Sequence, residues 1–480
     1  MAEQFKNGEF GDWRGVQAKA KDTVVQVFSQ ILKFNWLEPY KTPEQMRAFG
    51  SGFFIDDEGY LVTNFHVVDE AVSVRIQIPS LGKQQFAADI VGVYPDMDIA
   101  LLKLKEEEKA RIEKLIGRIP YLALGNSDEV YRSQRILALG FPLGQEGLKS
   151  TQGIVSGKEK IRMLSYIQIT APLNPGSSGG PSLNYDGEVV GINFAGILSA
   201  QNVGYIIPIN DVKYAINDLH KDKLLRRPYM GGIFSIANND MVKYLGNPED
   251  GGFYIAKVFK NASLEKAGVQ EGDMIYEINN YRLDRYGEMF VPWSEDKISI
   301  FDLLNRHVVG DTINLVLYRN GERREVSFEF GRGAVFSIRF IFPKYEKIDY
   351  EVFGGMVLMN LSLNHVDIFC ETTPSYFNFG RPENQQSPRL VVTNILLDSQ
   401  AQRSRSLIPG DIISEVNGIK IGTLDEFRKA VEVSKKSRFF TLRTAGEIFA
   451  VLSIDKILAD EDRFSERFFY KKSKLLDMFT

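Results

Sequence analysis

The chain has 480 residues, of which 44% are hydrophobic and 25% are charged, close to the average of globular proteins. This length predicts about three domains, and the composition excludes a disordered tail protein, a collagen-like fibre and a low-complexity scaffold. The formal net charge of -4 gives no electrostatic reason to expect nucleic acid or an anionic membrane as the main partner. The single cysteine, Cys370, excludes an intrachain disulfide and a cysteine zinc cluster.

The N-terminal segment is polar and lacks the apolar core of a signal peptide. Either the protein is made without a cleavable signal, or the chain is a mature form that carries an added start methionine. No stretch of the sequence approaches the roughly 20 apolar residues that a membrane helix needs.

The first half of the chain consists of short β-type runs separated by glycine-containing turns. This pattern predicts a mainly β barrel or sandwich. A helix is predicted over 210–219, with Asn210 or Asp211 as its N-cap, and the basic stretch 221–228 is interpreted as a linker. The predicted strands lie at residues 23–28, 52–55, 72–78, 99–104, 135–139 and 189–194.

The second half contains an internal repeat, since the pattern of residues 272–280 recurs at 410–418. Each copy has a Gly-Asp turn, a strand with alternating faces and an Asn-containing turn that can start a hairpin. A helical stretch and a second hairpin follow in both cases. We therefore predict two copies of one small domain.

Two further segments of the second half are rich in aromatic residues. The stretch 331–386 lies between the copies and is predicted to be structured, because a linker would be polar. The tail 460–480 has the pattern of an amphipathic helix. This helix could pack on its own domain or form a contact between subunits.

Candidate residues for nucleophilic catalysis lie in the β-rich half. A serine nucleophile needs a neutral imidazole in reach, a carboxylate that orients the imidazole, and backbone amides for the oxyanion. Ser178 lies in a loop of small residues, and His66 follows a predicted strand. Asp98 precedes the strand 99–104, but Asp96 lies two residues away, and the residue pattern does not choose between the two carboxylates. The other histidines are His220, His307 and His365.

His, Asp and Ser in this order, within one β-rich block, resemble the HtrA/Deg serine proteases. The resemblance covers nearly the whole chain and is most specific in the first 220 residues. The motifs that carry it are Gly-Ser-Gly-Phe at 50–53, Leu-Val-Thr-Asn-Phe-His-Val-Val at 61–68, Asp-Ile-Ala-Leu-Leu-Lys at 98–103, Leu-Gly-Phe-Pro at 139–142, Asn-Pro-Gly-Ser-Ser-Gly-Gly-Pro at 174–181 and Gly-Tyr-Ile-Ile-Pro at 204–208.

The resemblance implies a chymotrypsin-like double β-barrel over residues 1–220, followed by two α+β PDZ domains. The first PDZ domain would occupy 221–330, the connecting segment and second PDZ domain 331–458, and an amphipathic tail 459–480. In layout, including the aromatic-rich stretch, the chain looks closer to the plant-type Deg branch than to the best-known periplasmic members.

The same resemblance implies roles for individual residues. His66 would be the general base, Asp98 rather than Asp96 its orienting carboxylate, and Ser178 the nucleophile. The oxyanion hole would lie at Gly176, Ser177 and Ser178, with the amides of Gly176 and Ser178 as donors. The family usually has Asn where this chain has Ser177, which affects the rigidity of the loop rather than the chemical groups. The implied substrate pocket comprises Leu173, Gly196 and Ile197, which suggests a preference for substrates with uncharged, small to medium apolar side chains. Ordinary core packing is the alternative role of these three residues.

PDZ domains bind an extended C-terminal peptide by strand addition, and a glycine-containing loop captures its carboxylate. The segment 30–49 occupies the position of a regulatory loop in the family. Phe5, Phe10 and Trp13 are candidate trimer contacts, with N-terminal packing as the alternative. The expected carboxylate loop of the first copy is Tyr229, Met230, Gly231, Gly232 and Ile233. In the second copy the matching segment is Phe353, Gly354, Gly355, Met356 and Val357, with a purely structural role as the alternative to peptide binding.

The predicted function is that of an ATP-independent serine endopeptidase that degrades unfolded or damaged proteins, with PDZ domains that select or gate. No cofactor or metal is expected. The expected partners are unfolded polypeptides, C-terminal peptides and copies of the same chain, as a trimer or a multiple of trimers. The expected location is the bacterial periplasm or an organelle. The alternatives are a chaperone or PDZ scaffold with little proteolysis, and a regulatory protease with one client.

Overall fold

The computed structural model describes residues 13–161, 164–196, 202–248, 251–331 and 336–479. Contacts divide the chain into two compact units. Unit 1 comprises Met1–Ile31 and Met46–Ala334, and unit 2 comprises Leu32–Gln45 and Val335–Thr480. No helix in the described ranges is long and apolar enough to cross a membrane.

The first barrel is closed by six antiparallel strands in the order β1-β2-β3-β6-β5-β4. Most of its inward-facing side chains are Val, Ile, Leu and Phe, which favour strands and fill the interior. Its strands are β1 (Val24–Lys33), β2 (Glu44–Phe54), β3 (Tyr60–Thr63), β4 (Ala71–Gln77), β5 (Gln85–Tyr94) and β6 (Ile99–Leu104), and the helices of this part are α1 (Arg14–Ala20), α2 (Phe65–Val68) and α3 (Glu106–Ile116).

The second barrel is also closed, with the strand order β10-β11-β12-β9-β8-β7. The two barrels confirm the expected mainly β, double-barrel fold. The strands are β7 (Arg135–Gly140), β8 (Lys149–Ile161), β9 (Leu164–Ile169), β10 (Pro181–Leu183), β11 (Val189–Gly196) and β12 (Gly204–Pro208), followed by the helix α4 (Ile209–Leu219).

Two details around α4 differ from the sequence-based expectation. The helix begins at Ile209, so Pro208 rather than Asn210 or Asp211 occupies the N-cap position. The following stretch is not a free linker. Leu224 bridges to Val93 of β5, and Leu225 is buried while its amide donates to the Val93 carbonyl at 2.8 Å. The apolar pair Leu224 and Leu225 thus extends the first barrel. The basic residues around this pair led to the prediction of a linker, because charged stretches are typical of linkers.

The remaining part of unit 1 is a mixed α/β fold around a sheet with the path β13-β14-β15-β19-β20, so that β13 is an edge strand. The strand β16 pairs with β15, and β17 pairs with β18 in a separate ribbon. The strands are β13 (Gly232–Ser235), β14 (Phe253–Val258), β15 (Met274–Ile278), β16 (Tyr281–Arg282), β17 (Glu288–Met289), β18 (Ile298–Ser299), β19 (Thr312–Arg319) and β20 (Glu322–Glu329), and the helices are α5 (Asn239–Tyr244), α6 (Ser263–Lys266) and α7 (Ile300–Leu304).

Unit 2 contains a sheet with the path β21-β22-β23-β24-β26-β27, and β25 pairs with β24. Its strands are β21 (Glu351–Phe353), β22 (Met356–Asn360), β23 (Leu390–Ile395), β24 (Ile412–Val416), β25 (Ile419–Lys420), β26 (Phe439–Thr444) and β27 (Phe449–Ser453). Its helices are α8 (Leu363–Cys370), α9 (Pro382–Gln385), α10 (Gln400–Ser404), α11 (Leu424–Val431), α12 (Ser434–Ser437) and α13 (Ile454–Phe468).

The internal repeat is present as two equivalent hairpins. β15 is followed by a turn through Asn279 and Asn280, and β24 by a turn through Asn417 and Gly418. All four turn residues have positive φ, as the tightest two-residue hairpins require. A helix and a longer hairpin follow in both copies, as the sequence predicted.

The aromatic-rich stretch and the tail both belong to the packed structure of unit 2. Buried Ile338, Val366 and Tyr376 in the stretch pack together with Trp36, which lies in the segment between β1 and β2. The tail helix α13 begins at Ile454 and ends at Phe468, earlier at both ends than the predicted helix. The residues after α13 return to the core of unit 2, so the tail packs on its own unit.

Candidate active site

His66 and Asp98 lie side by side in the first barrel. His66 is carried by α2, directly after β3, and Asp98 precedes β6 in a left-handed conformation with φ of 54°. The Nδ1 atom of His66 lies 2.7 Å from Oδ2 of Asp98, and the His66 amide donates to Asp98 Oδ1 at 2.8 Å. The Asp98 carbonyl accepts hydrogen bonds from Asn64 Nδ2 at 3.0 Å and from the Phe65 amide at 3.1 Å. This network fixes both the ring and its carboxylate.

Asp96, the alternative carboxylate, has a different partner. Its Oδ2 atom accepts the backbone amide of Arg227 at 2.9 Å. Of the two acidic residues, the structure therefore pairs Asp98 with the imidazole.

The surroundings of His66 favour its protonated form. Burial alone would lower the pKa of His66, but the hydrogen bond to Asp98, the charge of Asp98 and the charge of Asp69 together raise the pKa above its usual value. The Asp98 side chain is only 14% exposed, whereas the His66 side chain is 50% exposed. The ring therefore has one side held by the carboxylate and another side open to solvent.

Ser178 lies in a tight loop of the second barrel. The loop is held by Asn193 of β11, whose carbonyl accepts the Gly179 amide at 2.9 Å and whose amide donates to the Gly180 carbonyl at 2.8 Å. Gly179 has φ of 85°, and a Cβ atom there would lie 2.2 Å from the Ser51 carbonyl oxygen and 3.0 Å from the Asn64 nitrogen. Only glycine permits this approach, which brings the loop next to the segment that leads into His66.

The Ser178 hydroxyl donates to the carbonyl of Phe194 at 3.0 Å. Within the described residues, no hydrogen bond joins Ser178 Oγ to His66. The hydroxyl proton must therefore turn away from the Phe194 carbonyl before His66 Nε2 can accept it, and catalytic hydrogen bonds often become well aligned only when substrate binds.

The three residues expected at the oxyanion hole differ in how their amides are used. The Ser177 amide donates to the Asn174 carbonyl at 2.9 Å, so it is not available as a donor. In the described part of the chain, neither the Gly176 amide nor the Ser178 amide donates to a protein acceptor. The Ser177 amide is therefore occupied, whereas the two amides expected as donors, those of Gly176 and Ser178, are available.

The pocket residues are only partly described. Leu173 is half-buried against the apolar side of the second barrel, and a Cβ atom on Gly204 would lie 3.1 Å from Leu173 Cδ1. Gly196 pairs with Gly204 at the end of β11, which brings the backbone of Gly196 near Leu173. Ile197 lies outside the described residues.

The expected carboxylate loop of the first repeat leads directly into the edge strand β13. The Tyr229 hydroxyl donates to the Gly232 carbonyl at 2.7 Å, and Gly231 has φ of 96°. Met230 is buried at the base of this loop, and Ile233 lies on β13. The loop is thus adjacent to a strand edge, as strand addition of a peptide requires.

The corresponding segment of the second repeat is arranged differently. Gly354 and Gly355 form the turn of a hairpin in which Phe353 pairs with Met356, and Val352 pairs with Val357. Because β22 also pairs with β23, both sides of β22 are already hydrogen-bonded. The strand that follows this turn, β22, therefore has no open edge, and β21 is the edge strand instead.

Among the N-terminal candidates for trimer contacts, Phe5 and Phe10 lie outside the described residues. Trp13 is buried within its own chain and stacks on Tyr185, with ring centroids 4.2 Å apart. The described residues contain no group of three or more His, Cys, Asp or Glu side chains arranged to hold a metal ion.

Two residues of the site were missed as candidates in the sequence. Asn193 is buried, and its side chain links Ser182 Oγ at 2.8 Å to the Leu139 carbonyl at 2.9 Å. Ser51 is also buried and contacts the nucleophile loop directly. The signal for each was a polar residue inside an apolar strand, a position where a side chain needs an internal partner.

Comparisons with known proteins agree with this architecture. The family model described as a trypsin-like peptidase domain matches residues 50–192. A protein from Pseudomonas putida named "Probable periplasmic serine endoprotease DegP-like" is 30% identical, over 87% of this chain and 82% of its own length. A protein of the same name from Pseudomonas fluorescens is 30% identical, over 83% of this chain and 77% of its own length.

A solved structure, "HtrA-type protease AlgW with decapeptide", has the same fold. It superposes with a TM-score of 0.52 and 23% identity, and covers 67% of this chain and 98% of its own. Both of these relatives are bacterial and named DegP-like, so they do not support the expected closeness to the plant-type branch. The chain belongs to the HtrA/DegP family and is a serine endoprotease of the trypsin-like peptidase type.

Proposed function

We propose that this protein is an ATP-independent endopeptidase that degrades unfolded or damaged proteins, with Ser178 as nucleophile, His66 as general base and Asp98 as the orienting carboxylate. The observation that carries the assignment is the short contact between His66 Nδ1 and Asp98 Oδ2, at 2.7 Å, beside the Ser178 loop. A carboxylate on Nδ1 keeps Nε2 free to accept a proton, which is the tautomer that a serine nucleophile needs.

In the proposed reaction the Ser178 hydroxyl turns from the Phe194 carbonyl towards His66 Nε2. The proton moves to Nε2 as Oγ bonds to the carbonyl carbon of the substrate, and the amides of Gly176 and Ser178 receive the developing oxyanion. The imidazolium, stabilised by Asp98, then protonates the leaving amine. Water attacks the acyl-enzyme with His66 again as base, and Ser178 regains its proton.

The first repeat is proposed to bind the C-terminal end of a polypeptide at the loop from Tyr229 to Ile233. Among the described strands β13 pairs on one side only, with β14, and this edge beside the loop supports the proposal, because strand addition needs unpaired backbone groups. We further propose a periplasmic location and a homo-oligomeric assembly, as a trimer or a multiple of trimers. The names of the bacterial relatives support the former, and the family resemblance supports the latter.

Two alternative functions share the same fold: a chaperone with little proteolysis, and a protease with one dedicated client. A panel of unfolded proteins, including casein and reduced lactalbumin, distinguishes them from general quality control. The wild type should degrade several members, and folded proteins should resist. The Ser178→Ala variant should lose this activity by at least about 1,000-fold.

Ser150→Ala is the matched control, because Ser150 is an exposed serine on β8 of the same barrel. It should degrade the panel at the wild-type rate. Degradation of only one protein in the panel would contradict the quality-control role. Equal activity of Ser178→Ala and the wild type would contradict the proposed nucleophile.

A further inference from the structure

Ser51 has an unusual set of contacts for a residue that does not belong to the catalytic candidates. It is completely buried on β2 of the first barrel. Its hydroxyl donates to the Gly176 carbonyl at 2.7 Å and accepts the Phe141 amide at 2.9 Å. Both partners belong to the second barrel, so one hydroxyl group bridges two loops of the neighbouring barrel.

The backbone of Ser51 takes part in the same network. Its amide donates to the Ser178 carbonyl at 2.8 Å, and its carbonyl accepts the Thr63 hydroxyl at 2.7 Å. Thr63 ends β3, immediately before the segment that carries His66. Ser51 therefore forms a hydrogen bond with the residue proposed as the nucleophile. Its carbonyl accepts a second hydrogen bond from Thr63 of β3, the strand that precedes the proposed base.

The hydroxyl contact bears directly on the orientation of the Gly176 peptide groups. Gly176 has φ of 95°, a conformation that side-chain-bearing residues rarely adopt. Its carbonyl is held by Ser51, and the carbonyl before it, that of Pro175, is held by the Leu143 amide at 2.6 Å. The Gly176 amide shares a peptide plane with the Pro175 carbonyl, and the Gly176 carbonyl shares one with the Ser177 amide, so the two contacts together fix both peptide groups of Gly176. The Gly176 amide has no protein acceptor within the described residues.

We propose that Ser51 is a positioning residue for the oxyanion hole, which acts by fixing the Gly176 carbonyl and thereby the peptide group that links the two donor amides, those of Gly176 and Ser178. The inference rests on the proposed roles of Ser178 and Gly176. It assigns to the Gly-Ser-Gly motif at 50–52 a task in transition-state stabilisation as well as in packing. Pre-set donors are effective because they need no reorganisation when the charge develops.

A purely structural role for Ser51 would give a different result from the proposed one. Loss of a buried hydroxyl leaves the Phe141 amide and the Gly176 carbonyl without this partner and lowers stability in either case. Only the positioning role lowers the turnover number while the binding of ground-state substrate stays unchanged. The split between kcat and KM therefore distinguishes the two roles.

The test uses the full chain and the variants Ser51→Ala and Ser51→Cys, with kcat and KM measured on a fluorogenic peptide. The inhibition constant of a peptide boronic acid, which forms a tetrahedral adduct with a serine nucleophile, is measured in parallel. In Ser51→Ala we expect kcat to fall about 10- to 100-fold, below the loss of a whole oxyanion donor. KM should stay within about twofold, and boronate affinity should fall in parallel with kcat. Ser51→Cys, which keeps a weak donor of similar shape, should lie between the wild type and Ser51→Ala.

Ser127→Ala is the matched control, because Ser127 is a buried serine whose hydroxyl accepts the Asn210 amide at 3.1 Å, outside the catalytic loops. It should lower the melting temperature without changing kcat or boronate affinity. A folded Ser51→Ala variant with kcat within twofold of the wild type would overturn the inference, as would a rise in KM at unchanged kcat. Full activity of Ser178→Ala would contradict the proposed function itself. Loss of activity in Ser178→Ala together with an unchanged kcat in Ser51→Ala would contradict only the role of Ser51.

Discussion

At the scale of single residues, the contact between Asp98 and His66 sets the pH range of activity. The general base must be neutral to accept the Ser178 proton, so activity is lost as pH falls through the pKa of His66. Burial lowers this pKa, but the hydrogen bond and charge of Asp98 outweigh burial and raise it above 6.5. The acidic limb of the activity profile should therefore lie above the pH at which an isolated histidine titrates.

The variant Asp98→Asn tests this account. It removes the charge that raises the pKa and the acceptor that fixes the tautomer of the ring. We expect kcat/KM to fall by about 10,000-fold and the acidic midpoint of the remaining activity to move to lower pH. The pH dependence of kcat/KM, measured on a fluorogenic peptide, gives both values.

The variant Asp96→Asn is the control for Asp98→Asn, since Asp96 accepts a backbone amide of Arg227 instead. Its acidic midpoint should equal that of the wild type. A midpoint that is the same in Asp98→Asn and the wild type would show that Asp98 does not raise the pKa of His66.

The residue pattern alone could not predict which of Asp96 and Asp98 pairs with His66. Both residues precede the same apolar strand, and composition treats them as equal. The distinction depends on the left-handed turn at Asp98, which directs its carboxylate to the amide and the ring of His66. Only the family resemblance anticipated this choice.

At the scale of elements, local patterns were predicted well and strand edges were not. The hairpin after β15 and the one after β24 were readable because Asn and Gly at positive φ are local requirements of a tight turn. The segment from Phe353 to Val357 was expected either to bind a peptide carboxylate or to have a structural role, and Gly354 and Gly355 form a hairpin turn. A Gly-Gly pair serves both purposes, and only the pairing of β21 with β22 distinguishes them.

The basic stretch after α4 was also predicted wrongly because strand pairing cannot be inferred from a local sequence pattern. Its charged residues are typical of a linker, and they lie beside Leu224 and Leu225, which pair with β5 of the first barrel. A pairing between residues more than a hundred positions apart has no local signal in one sequence. Short elements that complete a barrel are thus the ones that sequence patterns miss.

At the scale of the whole molecule, unit 2 is assembled from two distant parts of the chain. The segment 30–49 was expected to occupy the position of a regulatory loop, and its residues 32–45, which include the whole connection between β1 and β2, belong to unit 2. Trp36 is buried there and contacts the ring of His365 edge-on, with centroids 5.2 Å apart. Burial lowers the pKa of His365 to about 4, so this histidine is neutral at physiological pH.

Replacement of Trp36 by alanine should therefore destabilise unit 2. We expect a loss of about 3 to 5 kcal/mol, because a large buried aromatic side chain is removed from a packed cluster. Hydrogen exchange followed by mass spectrometry should show reduced amide protection in β22, β23 and α8. Protection in the second barrel should remain at the wild-type level.

Trp13→Ala is the matched control for Trp36→Ala, since Trp13 is a buried tryptophan of unit 1. It should reduce protection in α1 and its neighbours and leave unit 2 unchanged. Unchanged protection of unit 2 in Trp36→Ala would contradict the conclusion that this segment is part of its core.

The most direct test of the central claim is to label the nucleophile covalently. The wild type is treated with a fluorophosphonate, and the modified peptide is identified by mass spectrometry. The account predicts one adduct, on Ser178, which is absent in Ser178→Ala and forms at least about 1,000-fold more slowly in His66→Ala, because the general base is lost. An adduct on another serine, or proteolysis of casein by a preparation of Ser178→Ala, would contradict it.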